Sequence, residues 1–176
     1  GNTNLPKCLL KIGKKTILDR QIETLKDFDI TIVVGYKASM IIEKYQNLNY
    51  VFNNDYKTTN TIYSLGLALK GDDTFVINGD VVFDSKIIEL MKYPNCAAVQ
   101  FKKVDSEEIQ VKIKKEIIEI GKNINGVGEA VGIYRFSGDF CKRLSNIIEK
   151  EDKALFYENA INKMLPAEFY PVDIGK

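Results

Sequence analysis

Phe75-Val76-Ile77-Asn78-Gly79-Asp80-Val81-Val82-Phe83-Asp84 is the stretch that decides the fold. Its apolar run, residues 75–77, has the character of a strand buried on both faces, as in a parallel sheet covered by helices on each side. The run is cut off by Asn78-Gly79, a turn-forming pair, and Asp80 follows at once. In open α/β sheets, ligands collect just beyond the carboxyl ends of the strands. Asp80 is therefore expected to hold Mg2+ against the phosphates of a nucleotide. The competing reading makes it no more than the end of an Asn-Gly-Asp turn. Asp84 is better explained as a turn or helix-start residue ahead of Ser85 than as a second metal ligand.

Outward from this strand, helical and extended patterns alternate. Thr16 with Asp19 resembles a capping box, and Leu18, Ile22 and Leu25 then fall on one face at i, i+4, i+7. Residues 30–34 are β-branched and end at Gly35-Tyr36, which predicts a buried strand and a turn. A helix over about 38–45 and a short strand at 50–52 follow. The polar loop 53–60 leads into a helix over 61–69, capped by Thr59 or Asn60 and ended by Gly71-Asp72-Asp73. Downstream, Ser85 is expected to cap a helix through Met91, and 97–101 to form a strand. From Ile109 the pattern changes to a half-exposed hairpin through Ile120, then a Gly/Asn loop (121–129) and a strand (130–136). Helices over 139–148 and 155–164 and a closing segment, 169–173, complete the chain. The fold class implied is α/β, with a mostly parallel, mixed sheet between helices.

Composition narrows the function. A chain of 176 residues suits one domain with a sizeable core, and 45% hydrophobic with 28% charged residues is ordinary for a globular protein. Twenty-five basic residues against 24 acidic give a formal charge of +1, which argues against a nucleic-acid partner. Arg20, Arg135 and Arg143 are the only arginines, so lysine must carry most phosphate contacts. Histidine is absent, which excludes Ser-His-Asp and Cys-His catalysis and His-ligated metal. Cys8, Cys96 and Cys141 match no C-x-x-C pattern and are expected to act as small buried hydrophobes in a reducing cytoplasm. No apolar run reaches membrane-spanning length, and a cytoplasmic protein without a membrane partner is expected.

Five segments carry a family likeness: residues 5–12 with the 16–19 helix start, Val33-Val34-Gly35-Tyr36-Lys37, residues 54–65, Ile77-Asn78-Gly79-Asp80, and residues 128–137. In this order they resemble the sugar-nucleotidyltransferase superfamily and, within it, the phosphocholine and phosphonate cytidylyltransferase-like branch. The resemblance implies a three-layer α/β/α, Rossmann-like nucleotidyltransferase fold in a single domain, 1–176. It implies transfer of a nucleoside monophosphate, CMP from CTP or another NTP, to a phosphocholine, aminophosphonate or sugar/polyol phosphate, with release of pyrophosphate. Carried over by position, Asp80 matches the Mg2+ ligand and, with Gly79, lies at the nucleotide. Lys7 matches the lysine of a Pro-Lys signature near the triphosphate. Asn60 and Ser64 match positions beside the base, Lys122 a lysine near the reacting phosphates, and Glu129 an acidic residue on the acceptor side.

The same likeness expects a first strand with a Gly-rich loop before Gly1 and a second metal-binding Asp beyond Lys176. The chain thus reads as truncated at both ends, and Asp173 precedes the position expected for that second Asp. Blander roles stand beside these: Asn60 and Ser64 as cap and first-turn residues, Lys7 and Lys122 as solvated lysines, Glu129 as a loop residue. Two other functions remain open. A non-catalytic nucleotide-binding or interaction domain is one. A nucleotide-sugar glycosyltransferase is the other, although Val82 stands where a D-x-D pair would need its partner. Self-association as a homodimer is left open.

Overall fold

The alternation of strand and helix is realised in a computed structural model that describes residues 4–114, 117–164 and 169–175. After a 3-10 turn at Lys7–Leu9 and a small hairpin, β1 (Lys11–Ile12) and β2 (Lys15–Thr16), the chain enters α1 (Ile17–Thr24). There follow β3 (Thr31–Val34), α2 (Ala38–Lys44), β4 (Asn49–Phe52), α3 (Thr61–Ala68), β5 (Thr74–Ile77) and α4 (Ser85–Leu90). The second half runs β6 (Cys96–Gln100), β7 (Gln110–Lys114), β8 (Ile117–Gly121), β9 (Gly128–Phe136), α5 (Gly138–Ile148), α6 (Tyr157–Lys163) and β10 (Tyr170–Asp173).

Among the described residues, β3 and β4 pair in parallel as a separate two-stranded sheet. The larger sheet has the order β10-β6-β9-β7-β8, with β5 also paired to β9. Strands β5, β6 and β7 all lie antiparallel to β9, and β10 is parallel to β6, so these four share one direction. The mixed α/β fold is as expected, but parallel ladders are confined to β3–β4 and β6–β10. The nine-residue β9 stands between β5 and β6, a long-range pairing that no local pattern announces.

Helices cover both faces. On one, α3, α5 and α6 enclose a core containing Ile62, Leu65, Phe136, Phe140, Leu144 and Ile161. On the other, Met91 beyond α4 packs with Ile133, Phe75 and Ile77. A third cluster, Leu9, Leu18, Val34 and Ile41, joins α1 and α2 to β3. Three local expectations change. Strand β5 is half-buried at all four positions rather than enclosed, because it pairs with β9 alone among the described residues. For the same reason only Val34 of β3 is buried. And α4 is capped by Asp84, whose side chain accepts from the Lys86 N–H at 2.9 Å, not by Ser85. Cys96 and Cys141 are buried and Cys8 half-buried, all as free thiols.

The capping box of α1 fixes that helix. Thr16 Oγ1 accepts from the Asp19 N–H (3.0 Å), and the Asp19 carboxylate accepts from the Thr16 N–H (2.7 Å). The same carboxylate takes the Tyr45 hydroxyl (2.8 Å) and the Lys44 ammonium (3.0 Å), tying α1 to the end of α2. Burial opposes ionisation of Asp19, but its bonds from Thr16, Tyr45 and Lys44 prevail and hold its carboxyl well below the usual carboxylate range. A folded pKa below the unfolded one stabilises the fold above the ordinary Asp value, about pH 4, and the contribution is lost as pH falls through the lower folded value. Asp19→Asn should therefore lower the urea midpoint at neutral pH, and the gap to the unaltered protein should narrow progressively below about pH 4. A gap independent of pH would contradict this.

Candidate functional site

The carboxyl end of β5 is a turn whose every exit is tied. The Asn78 N–H donates to the Gly132 carbonyl at 2.9 Å, and the Val81 N–H to the Asn78 carbonyl at 3.3 Å. Gln21, 7% exposed on α1, donates its side-chain amide to the carbonyls of both Asn78 (2.9 Å) and Val81 (2.7 Å), so one side chain straddles Gly79 and Asp80. From the opposite side the Tyr157 hydroxyl donates to Asn78 Oδ1 at 2.9 Å. Gly132, at φ +77°, makes room: a Cβ there would lie 2.5 Å from Asn78 Nδ2. Asn78 is thus enclosed while Asp80 projects outward, its side chain about half exposed at 48%.

Lys7 meets Asp80 there, Nζ to Oδ2 at 3.6 Å. The 3-10 turn places it: the Leu9 N–H bonds the Pro6 carbonyl, and Cys8 packs by Gly79, 3.8 Å from where a Cβ would stand. Upstream, Lys37 donates to the carbonyl (2.7 Å) and side chain (2.6 Å) of Asn4, strapping the residues before Lys7 to the end of β3. Exposed ion pairs contribute at most about 1 kcal/mol. Exchanging the Lys7–Asp80 pair for a bound ion or phosphate therefore costs the fold little.

A second group gathers at the start of α3. Asn60 is the N-cap, its side-chain oxygen accepting from the Thr61 N–H (2.8 Å), and its own N–H donates to the Lys153 carbonyl (2.7 Å). Ser64, one turn on, accepts from Asn53 Nδ2 at 3.1 Å. Asn53, 4% exposed, also donates to Thr59 and accepts from the Asp55 N–H, so it shapes the loop leading into the helix. The capping role set against base contact for Asn60 is real, and it leaves the helix start on the surface beside the β4 end.

Glu129 and Lys122 are engaged elsewhere. Glu129 pairs with Lys102 at 2.7 Å, and Lys102 also holds Glu108 at 2.6 Å. Those two carboxylates push the Lys102 ammonium above its ordinary range. Glu129 lies three residues along β9 from Gly132, about 10 Å at strand rise. Lys122 sits 3.6 Å from Glu107 and over the Phe156 ring at 5.6 Å. Phe156 precedes Tyr157 in the chain. From the sequence, Tyr157 reads as ordinary aromatic packing, and Gln21 and Asn53 carry no expected role. Gln21 had a signal: it interrupts the apolar stripe of α1 between Leu18 and Ile22, and a buried amide needs partners.

No group of three or more potential metal ligands occurs among the described residues. Asp84 is committed to its cap. Asp173, at the end of β10, accepts from the Gly175 N–H at 2.9 Å and is separated from β5 by β6 and β9. What remains at the strand end is the single carboxylate of Asp80. Mg2+ is commonly held by one or two carboxylates together with waters and substrate phosphates, so the residue present fits that ion delivered with a nucleotide.

No family model matches the chain. Against whole proteins it is 28% identical, over 98% of its length, to a bifunctional protein GlmU of Methanococcus vannielii, 46% of which is covered. It is 24% identical over 88% of its length to CTP:phosphoglutamine cytidylyltransferase of Campylobacter jejuni, covering 74% of that protein. Its fold superposes on CTP:phosphocholine cytidylyltransferase (LicC) from Streptococcus pneumoniae with a TM-score of 0.77 at 22% identity, over 97% of this chain and 81% of the other. GlmU proteins and cytidylyltransferases are thus among the proteins it is similar to, in line with the likeness to the sugar-nucleotidyltransferase superfamily that the sequence carries. The chain spans less than half the length of the GlmU relatives. No helix among the described residues is long and apolar enough to cross a membrane.

Gln21→Leu keeps the volume in α1 but strips the Asn78 and Val81 carbonyls of their donor. A loss of about 1–3 kcal/mol is expected, read as a lower urea midpoint with an unchanged m-value. An unchanged midpoint would show that the clamp carries no energy.

Proposed function

We propose that the chain forms the nucleotide-binding part of a Mg2+-dependent nucleotidyltransferase that transfers CMP from CTP to a small phosphorylated or phosphonate acceptor. The observation that carries this is the Lys7–Asp80 pair, cation and carboxylate side by side at the carboxyl end of β5. Support comes from relatives that are themselves cytidylyltransferases, one named for phosphoglutamine and one for choline phosphate.

In the reaction, an acceptor phosphate oxygen forms a bond to the α-phosphorus of the NTP. The bond from that phosphorus to the bridging oxygen breaks, and pyrophosphate leaves with the electron pair. The acceptor oxygen is already ionised near neutral pH, so no general base is needed, in keeping with a chain without histidine. The chemical task is to hold two anions in line and offset their repulsion. Lys7, on the short turn against Gly79, supplies positive charge to the phosphates. Asp80 would hold Mg2+, which when bound neutralises phosphate charge. The start of α3, with Asn60 and Ser64, receives the nucleoside. Lys122 would serve the reacting phosphates and Glu129 the acceptor only by leaving their present partners, Glu107 and Lys102. A glycosyltransferase reading is disfavoured because Val82, 44% exposed, offers no second carboxylate.

Pyrophosphate release from CTP with phosphocholine, phosphoglutamine and inositol phosphate as trial acceptors tests this directly, with and without EDTA. Turnover should require Mg2+ and fall at least about 100-fold in Asp80→Ala, the scale typical of losing a preorganised electrostatic group. Full activity in that variant would remove Asp80 from the metal role. CTP binding without turnover, equal with and without Mg2+, would favour a nucleotide-binding domain instead.

A further inference from the structure

Tyr157 opens α6, is 3% exposed, and is bonded at both of its ends. Its backbone N–H donates to Thr61 Oγ1 at 3.2 Å, and its hydroxyl donates to Asn78 Oδ1 at 2.9 Å. Thr61 is the first residue of α3 and follows Asn60, whereas Asn78 precedes Gly79 and Asp80. One residue thus links the helix start, through its backbone N–H, to the strand end, through its hydroxyl. We propose that Tyr157 is a positioning residue that fixes the separation between the nucleoside end of the site and its phosphate end, without touching substrate. This rests on the nucleotidyl-transfer function proposed above.

The surroundings leave that side chain one arrangement. Its ring stands edge-on to Tyr134, centroids 5.3 Å apart and planes at 89°. Tyr134 is itself fully buried and donates its hydroxyl to Glu158 Oε1 at 3.0 Å, so the partner ring is pinned by a second hydrogen bond. Burial, followed by the nearby Glu158 carboxylate, pushes the Tyr157 phenol far above its ordinary value, which keeps it a donor. On the far side of Asn78, Gly132 confines the amide nitrogen. The Asn78 side chain is therefore held between a hydroxyl and a backbone, and the direction in which Asp80 leaves the strand follows from it. Just before α6, the Ile62 N–H donates to the Leu155 carbonyl at 3.3 Å, a second tie between the start of α3 and the segment carrying Tyr157. In-line transfer depends on sub-ångström alignment of the two ends, so a link that sets their distance acts on rate more than on affinity.

Tyr157→Phe removes only the hydroxyl and keeps the ring packing; Ile161→Val, in the same helix, removes one buried methylene away from the site. Three quantities are measured on both variants and the unaltered protein: kcat and KM for CTP in pyrophosphate release, thermal stability, and NMR hydrogen-exchange rates of the Asn78 and Val81 amides, which donate to the Gly132 and Asn78 carbonyls. Tyr157→Phe should lower kcat by about tenfold or more with KM for CTP nearly unchanged, and should speed exchange at those amides. Ile161→Val should lower stability and leave kcat and that exchange as they were. Unchanged kcat and exchange in Tyr157→Phe, or an equal fall of kcat in Ile161→Val, would overturn the positioning role. If the unaltered protein transfers no nucleotide, the functional proposal fails. The exchange rates then still decide whether Tyr157 holds the turn: unchanged rates overturn that as well.

Discussion

Two carbonyls at the end of a strand set the terms for the rest of the molecule. Where β5 stops, the Asn78 and Val81 carbonyls point into the protein, and a buried acceptor without a donor costs about 1–3 kcal/mol. Gln21 satisfies both from α1. The start of that helix is held by the Thr16–Asp19 capping box and by Lys44 and Tyr45 at the end of α2. The same helix therefore carries both the tie to α2 and the donor that closes the turn around Asp80.

The division of labour around Asp80 follows from burial. Gln21 and Tyr157 are buried and both bond to Asn78, and so hold the turn. Lys7 and Asp80 face outward and are loosely paired. Groups that must bind and release ions belong in the second class, since a tightly bonded carboxylate would resist exchange. The Lys102–Glu108–Glu129 cluster is bonded at 2.6 and 2.7 Å, and an acceptor reaching Glu129 would have to compete with Lys102.

Much of the fold was legible because its signals are local. The capping box at Thr16, the β-branched run into Val34, the cap at Asn60 and the hairpin after Ile109 all fall where the sequence places them. The pairing of β9 between β5 and β6 was not legible, because a register such as Ile77↔Ile133 joins residues far apart in sequence. The half-exposure of β5 was missed for a related reason: Phe75, Val76 and Ile77 have the composition of an enclosed strand, and composition does not say whether an edge is paired. Ser85 and Asp84 compete as caps of one helix, and only the observed Asp84–Lys86 bond separates them. Within the site, Asp80 stands out by its position after a strand and an Asn-Gly turn, whereas Lys7 is picked out only by the family likeness of its Pro-Lys pair. Gln21 and Tyr157 looked like ordinary members of helices, since their roles depend on what lies across the interface.

The central claim is that the β5 end holds a divalent ion together with a nucleotide. Mn2+ in place of Mg2+, added with CTP to isotopically labelled protein, reports this by paramagnetic broadening of nearby NMR resonances. Broadening that requires CTP, is strongest at Gly79 and Asp80, extends to Lys7 and disappears in Asp80→Asn is the expected result. Broadening centred on Asp173 or on the Glu107–Glu108 loop, or none at the β5 end when CTP is bound, would contradict it.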